Sequence, residues 1–454
     1  MSQGPESSGG GPNGNVEIRE LDRSGNVQRR WLQSPAGGLS PILAEGQSAS
    51  TIYTSLREWR KTFFDAFLPV GYPHSVSNDY ISYQVYDSLQ AFFSTIVSLL
   101  ANRALLEGLG VGDADSSATF AMLLTIMKDA MSRIATIIFA QQFGLRIEPE
   151  AKCFRFLADL FNDTAFFLEL YSPMLGPWGK FTALGIGEAL RALCGVAAGA
   201  SKAALSVHFA KHDNLAELNA KEASQETAVG LVGLLVGTLV VRYVQDRFTV
   251  LHLMTVLVLM HLWMNFRGVC SVCMDTLNRQ RATKLFEEYL RSGKVLSPHQ
   301  VAARENILHW KCRAKDDNGK ALAIIKMAKS WPHAMRVGER AFPTLSYEIS
   351  GSTKLQVYRG AAVGGLDDIR IILGPDATVM DILRAWYEAI STARRLKDGT
   401  EAQMNDDAWA ETAAEGFEKL WLRMEVAGWN LKTQALETGP PVRIEVIPVE
   451  KKKQ

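Results

Sequence analysis

Between about residue 80 and residue 266 apolar side chains recur in long stretches at helical spacing; before and after this region they do not. Six stretches approach the roughly 20 residues that a bilayer-crossing helix needs: 80–102, 118–143, 153–172, 181–207, 227–244 and 248–266. The last two are the plainest. "AVGLVGLLVGTLVV" and "FTVLHLMTVLVLMHLWM" contain no carboxylate, lysine or arginine, and the turn between them carries Arg242, Gln245, Asp246 and Arg247. They predict a helical hairpin. The other four stretches carry charges, and each taken alone reads equally well as an amphipathic helix in water.

Basic residues discriminate between these readings. Arg57, Arg60 and Lys61 precede the first stretch, Arg146, Lys152 and Arg155 lie around the second connection, and Lys211 and Lys221 follow the fourth stretch. Arg267, Arg279, Arg281 and Lys284 follow the sixth, whereas the alternate connections hold fewer: Arg103, then Lys180, then Arg242 and Arg247. Alternation of this kind fits six spans with both ends on one, cytosolic, side. Past Arg267 the pattern is that of a soluble domain. "DTLNRQRATKLFEEYLRSG" reads as a helix closed by Gly293, and Ser297 with Pro298 opens another. "LSYEIS", "DIRIILG" and "VRIEVIPV" read as strands, and "TVMDILRAWYEAISTARRL" and "DAWAETAAEGFEKLWLRMEVAGW" as amphipathic helices. The expected fold is therefore mainly α, a polytopic helical membrane bundle of about six spans followed by a small α+β soluble domain. The expected divisions are 1–50, a disordered Gly/Ser/Pro/Asn-rich segment, then 51–290 and 291–454.

Ionisable groups inside apolar helices are costly and face a bundle interior or a wet cavity, which makes them candidates for function. Asp79 and Asp87 belong to a polar stripe in the first stretch with Tyr83, Tyr86, Gln90 and Ser94. Asp129 and Arg133, four apart, are spaced to pair on the second helix. Asp159, Asn162 and Asp163, with Glu169, line one side of the third. Gly195 with Gly199 and Gly233 with Gly237 form two GxxxG motifs that permit close helix packing. Glu222, Gln225 and Glu226, with Glu217, Asn219 and Lys221, stand directly before the apolar run of the fifth stretch. They form either a plain polar lead-in or the mouth of a polar cavity.

Composition narrows the chemistry further. The 49 basic and 48 acidic side chains nearly cancel, which argues against nucleic acid as a partner. Five cysteines are too few and too scattered for a disulfide framework. Cys270 and Cys273 form a CxxC without a second pair, and His208 and His212 lack a third ligand, so neither metal nor any other cofactor is expected. No GxSxG, Walker loop or strand-to-helix GxGxxG is present, and the expectation is a non-enzyme.

Four blocks carry a resemblance: "FLPVGYP" at 67–73, "LFNDTAFFLE" at 160–169, "GVAAGASKAAL" at 195–205 and "NAKEASQET" at 219–227. Over roughly 60–290 the chain resembles the root UV-B sensitive (RUS) protein family, with its vitamin B6 photo-protection and homoeostasis domain, and "AGWNLKTQAL" at 427–436 is similar to the family's ending. The resemblance implies a membrane protein linked to vitamin B6 homeostasis, some of whose plant members reside in plastids. Residues 1–50 lack the character of a plastid transit peptide, and an intracellular membrane is expected. Two functions are consistent with this. One is binding or transport of a small polar solute through a cavity lined by the polar residues above. The other is a non-catalytic scaffold that recruits partners through its C-terminal domain. The lipid bilayer, a small polar solute and a homo- or hetero-oligomer with another family member are the expected partners.

Overall fold

The computed structural model describes residues 16–21, 25, 27–34, 38–42, 59, 62–108, 118–308, 313–336, 343, 345–350, 353–398 and 407–447. Six long helices occupy the apolar region: α1 (Tyr80–Gly108), α2 (Ala118–Ile147), α3 (Ala151–Tyr171), α4 (Gly176–Phe209), α5 (Leu215–Tyr243) and α6 (Arg247–Ser271). At 1.5 Å per residue the 29 residues of α1 reach about 43 Å. α1 lies against α3, α5 and α6; α3 lies against α4 and α6; α2 packs on α4. The short turns at 148–150, 210–214 and 244–246 make successive helices antiparallel. Asp246 starts α6 by accepting from Thr249 N and Oγ1, both at 2.9 Å.

Three of the six, not all, are long and apolar enough to cross a membrane by length and composition: Trp178–Phe209, Leu215–Tyr243 and Arg247–Ser271. α1, α2 and α3 have the length but do not combine it with the required apolarity. The charges of α3 turn inward, where Arg155 pairs with Asp159 and with Asp87 of α1, while α2 leaves Asp129 and Arg133 exposed. Apart from such charges, large apolar side chains occupy the outward faces. Ile126, Ile137 and Ile138 on α2, Leu235 and Leu239 on α5 and Leu259 on α6 are all more than half exposed.

Glycine sets the closest helix approaches. A Cβ at Gly237 would sit 2.5 Å from Leu99 Cδ1, and one at Gly233 2.9 Å from Thr95 Cβ, so α5 meets α1 at the second GxxxG. The first behaves otherwise. A Cβ at Gly195 or Gly199 meets nothing within 4 Å, and both glycines are exposed. α4 instead contacts α2 at Gly185, where a Cβ would lie 2.7 Å from Met131 Sδ.

The C-terminal domain begins with α7 (Arg279–Ser292), which Asn278 caps and the left-handed Gly293 ends. The short α8 (Pro298–Ala302) follows, opened by a Ser297–Gln300 capping box. Strands β4 (Arg313–Lys315), β5 (Ala321–Met327), β6 (Leu345–Ser350), β7 (Thr353–Tyr358) and β8 (Asp367–Ile372) form one sheet in the order β4-β5-β8-β7-β6. Only the β5–β8 pair is parallel. The one-turn α9 (Trp331–Ala334) follows β5; α10 (Val379–Lys397) and α11 (Asp407–Val426) follow β8. Ile325, Leu355, Val357, Ile369 and Ile371 alternate onto the face that receives Trp386 and Ala389 of α10. Leu285 and Phe286 of α7 join that same core, so α7 packs with the sheet although it lies within residues 51–290.

Two expectations fail here. "VRIEVIPV" forms no strand over its described residues; Ile444 N–H donates to Leu373 O at 2.9 Å, but β8 already has neighbours on both sides and offers no free edge. The N-terminal segment, expected to be disordered, carries β1 (Val16–Leu21), β2 (Val27–Gln33) and β3 (Leu39–Pro41) in an antiparallel sheet. Low overall hydrophobicity hid this sheet, since its Val16, Ile18 and Leu21 stay exposed.

Within α10 Glu388 is buried, and its Oε1 has no hydrogen-bond partner among the described residues. Burial pushes this carboxyl up to about 7, opposed only in part by Arg384 and Arg395. A raised carboxylate value means that the folded chain holds a proton the unfolded chain has lost. Stability therefore falls as pH rises from about 4.5 to about 7, by at most about 1.4 kcal/mol per pH unit. Glu388→Gln should flatten that slope and raise the unfolding temperature at pH 8 relative to the parent. Thermal unfolding of the detergent-solubilised chain at pH 5 and pH 8 checks it, and an unchanged slope refutes the assignment.

Candidate functional site

The residues of the third stretch explain where polarity collects. Arg155, Asp159 and Asp163 recur every four residues, so they rise along one side of α3, and that side faces α1 and α6. Arg155 is the centre. Its Nε donates to Tyr83 Oη at 3.2 Å, one terminal nitrogen donates to both oxygens of Asp159 at 3.1 Å, and the other donates to Asp87 Oδ1 at 2.8 Å. Asp159 also accepts from Gln90 of α1 and from Asn265 of α6. One helical turn further, Asp163 Oδ2 meets His261 Nδ1 of α6 at 2.8 Å, and His261 Nε2 lies 3.9 Å from Asp159 Oδ2. Asp87, Arg155, Asp159, Asp163, His261 and Asn265 are all less than a tenth exposed.

Three further ion pairs lie beside this cluster. Arg191 of α4 grips Glu169 of α3, with Nε to Oε1 at 3.0 Å, and lies over the Phe166 ring at 4.7 Å. Lys202 of α4 bridges Glu222 at 3.3 Å and Glu226 at 2.9 Å on α5. Glu222 is buried and Glu226 exposed. α1, α3, α4, α5 and α6 thus all carry buried polar groups. The Arg155 cluster itself is acidic on balance: Asp87 and Asp159 share its one guanidinium, and Asp163 adds a third carboxyl beside the His261 imidazole. Two carboxyl oxygens, Asp163 Oδ1 and Glu222 Oε2, are buried with no hydrogen-bond partner among the described residues.

The remaining expected residues lie elsewhere. Asp79 precedes α1 at the end of the bundle nearest the C-terminal domain, where it accepts from Ser77 Oγ (2.5 Å) and Cys273 N (2.7 Å) and pairs with His208 Nε2 (2.9 Å). Burial alone would raise Asp79; His208 and these donors outweigh it and bring the carboxyl down to about 2. Asn162 is half-buried on α3 and takes no part in the Arg155 cluster. Asp129 and Arg133 share a helix face that points outward, and the ion pair linking α2 to α4 is Lys128–Glu188 at 3.2 Å. His212 sits exposed in a turn with φ of 58°.

Gln225 answers the question of the polar lead-in together with its neighbours. Glu217 accepts from Val70 N at 2.7 Å, Lys221 donates to Asp65 O, and Gln225 donates to Phe67 O. The first turns of α5 thereby hold residues 65–70, and Gln225 of "NAKEASQET" reaches Phe67 of "FLPVGYP" directly, so two sequence-distant blocks that carry the resemblance touch.

Residues 53–293 match the family model for the vitamin B6 photo-protection and homoeostasis domain, more than half of the chain. The chain belongs to the RUS family. It is 30% identical over 384 residues to protein root UVB sensitive 3 of Arabidopsis thaliana, covering 83% of this chain and 84% of that relative. RUS family member 1 of Dictyostelium discoideum is 38% identical over 248 residues, 54% of this chain and 47% of its own length, so the chain matches about half of that relative. A third Arabidopsis relative, 26% identical over 375 residues, is named root UVB sensitive 2, chloroplastic. No solved structure matches the chain.

In this RUS chain Arg155, His261, Asn265 and Gln90 are site residues that helix spacing alone did not single out as a cluster. The signal for Arg155 was present in the i, i+4, i+8 series Arg155–Asp159–Asp163. His261 and Asn265 repeat that spacing on α6, but nothing in the sequence says that the two helices face each other. Removing Arg155 leaves Asp87 and Asp159 buried without their cation, so Arg155→Ala should cost about 3–5 kcal/mol. Asp129→Ala and Arg133→Ala should each stay within about 0.5 kcal/mol. Denaturant titration of the purified chain in detergent compares the three; equal effects would show that the Arg155 cluster carries no special weight.

Proposed function

We propose that this RUS protein is an integral membrane protein of an intracellular membrane, with all six long helices crossing the bilayer, and that its acidic interior binds and passes a small polar solute in vitamin B6 homeostasis. The observation that carries the proposal is the buried carboxyl-rich cluster of Asp87, Asp159 and Asp163 around Arg155 and His261, with Asp163 Oδ1 and Glu222 Oε2 left unpartnered. Buried acceptors without donors are retained at a cost of about 1–3 kcal/mol each, which a ligand donor or a proton relieves. Lipid contact is supported by the outward Ile126, Ile137, Leu235, Leu239 and Leu259, and by the aromatic Trp178, Tyr243 and Phe248 near the helix ends opposite the C-terminal domain. The chemistry is binding rather than bond-making, and an acidic interior favours a solute that carries a protonated nitrogen, as pyridoxamine does.

A non-catalytic scaffold is the second reading. It is favoured by the number of polar groups that satisfy one another, such as Arg155 with its three partners and Arg191 with Glu169. Interhelical hydrogen bonds of this kind, about 0.6–2 kcal/mol each, hold a bundle together without moving anything. Uptake of radiolabelled pyridoxamine into proteoliposomes separates the two. The carrier predicts saturable uptake reduced at least tenfold by Asp159→Asn and by Asp163→Asn. Uptake no greater than in protein-free liposomes, or uptake indifferent to both substitutions, leaves the scaffold.

A further inference from the structure

Outside the bundle interior lies a cleft of about 540 Å³, between the C-terminal ends of α2 and α4, the linker 274–276 and the C-terminal segment 430–441. Its size is that of a small-molecule site, and its position, where two structural units meet, is where such sites concentrate. The segment that closes it is held in place from several directions. Asn430 N donates to Asp275 O at 3.0 Å, Arg279 Nε donates to Leu436 O at 2.7 Å, and Trp429 Nε1 donates to Leu296 O at 2.8 Å. Asn430 Oδ1 in turn accepts from Lys432 N and Thr433 N. This is the stretch "AGWNLKTQAL", whose role the bundle does not explain.

The charges around the cleft divide into spent and unspent ones. Glu437 is committed to Arg443, with contacts of 2.8 and 3.1 Å, and His208 to Asp79 at 2.9 Å. Lys211 and Glu148 are exposed and make no ion pair among the described residues. The Asp275 side chain is 45% exposed and shares His208 with Asp79, lying 3.9 Å from His208 Nδ1. Lys211 and Glu148, without ion pairs among the described residues, and the loosely paired Asp275 thus share a cleft that is also lined by the exposed apolar side chains of Leu145 and Val207.

We propose that this cleft binds a small zwitterion bearing a primary amine and a phosphate, the amine taken by Glu148 and Asp275 and the phosphate by Lys211. The same chemistry occurs in a soluble amine phosphate and in the head group of phosphatidylethanolamine, and the cleft sits at the end of the bundle that the C-terminal domain covers. The site is separate from the interior cluster and stands whether or not the bundle moves a solute.

The test uses the full chain in two arms. In phospholipid-free detergent, isothermal titration measures pyridoxamine 5′-phosphate against pyridoxine, which lacks both the amine and the phosphate. In nanodiscs, native mass spectrometry measures retention of phosphatidylethanolamine against phosphatidylglycerol. A soluble ligand predicts saturable binding of pyridoxamine 5′-phosphate at least tenfold tighter than pyridoxine, with no preference between lipids. A lipid ligand predicts selective retention of phosphatidylethanolamine with no soluble binding. In whichever arm responds, Lys211→Ala and Glu148→Gln should each weaken binding at least tenfold while the unfolding temperature stays unchanged, and Asp159→Asn should leave binding intact. Absence of selectivity in both arms overturns the proposal, as does binding that ignores Lys211→Ala and Glu148→Gln. Loss of binding in Asp159→Asn with none in Lys211→Ala would move the ligand to the interior cluster and overturn it equally.

Discussion

The buried polar groups that join α1, α3 and α6 are arranged around one guanidinium. Arg155 is the cation that lets Asp87 of α1 and Asp159 of α3 be buried side by side, and its planar fork supplies a donor to each of its three oxygen partners. Carboxylates in an apolar bundle are tolerated only when paired and hydrogen-bonded. Once Arg155 fixes Asp159, Gln90 and Asn265 can converge on the same carboxylate and bring α1 and α6 to α3. The close passage of α5 along α1 at Gly233 and Gly237 then packs the fifth helix against this frame.

A second buried carboxylate ties the bundle to the C-terminal domain. Glu305 accepts from Lys152 Nζ of α3 at 2.6 Å and pairs with Arg281 of α7 at 2.9 Å, while Arg281 also donates to Thr276 O at 2.6 Å. Burial works against ionising Glu305, but Arg281 and Lys152 outweigh it and hold the carboxyl below its ordinary range. The two units therefore meet through a desolvated ion triad rather than through a broad apolar seam. Breaking such a triad is costly, because its members cannot reach water. The cleft beside 430–441 lies at this same junction.

Much of this was legible in the chain and the rest was not, for identifiable physical reasons. Helix positions followed from periodicity, and Gly293, Ser297 and Pro298 marked their boundaries as caps should. Asp87, Asp159 and Asp163 were legible because a carboxylate in an apolar stretch is anomalous wherever it points. Asp129 and Arg133 are equally anomalous by spacing, yet face outward; a single helix does not reveal which side its neighbours cover. The same ambiguity separates Gly233 and Gly237, which pack, from Gly195 and Gly199, which do not. Strand β5 was missed because "ALAIIKM" is a continuous apolar run in a parallel pair, without the alternation that marks a half-exposed strand; β7, "TKLQVY", does alternate, so its signal was present in the chain. The clamp of 217–225 on residues 65–70 joins groups about 150 positions apart, and no local pattern encodes such a contact.

The most direct measurement is a double-mutant cycle between Asp87 and Arg155, which lie on different helices and 68 positions apart. Unfolding free energies of Asp87→Asn, Arg155→Met and the double variant in detergent give the coupling between them. A coupling above about 1.5 kcal/mol is predicted if this pair organises the bundle. A coupling below about 0.5 kcal/mol would mean that the two side chains are neighbours without being partners, and the frame described above would have to be rebuilt on other contacts.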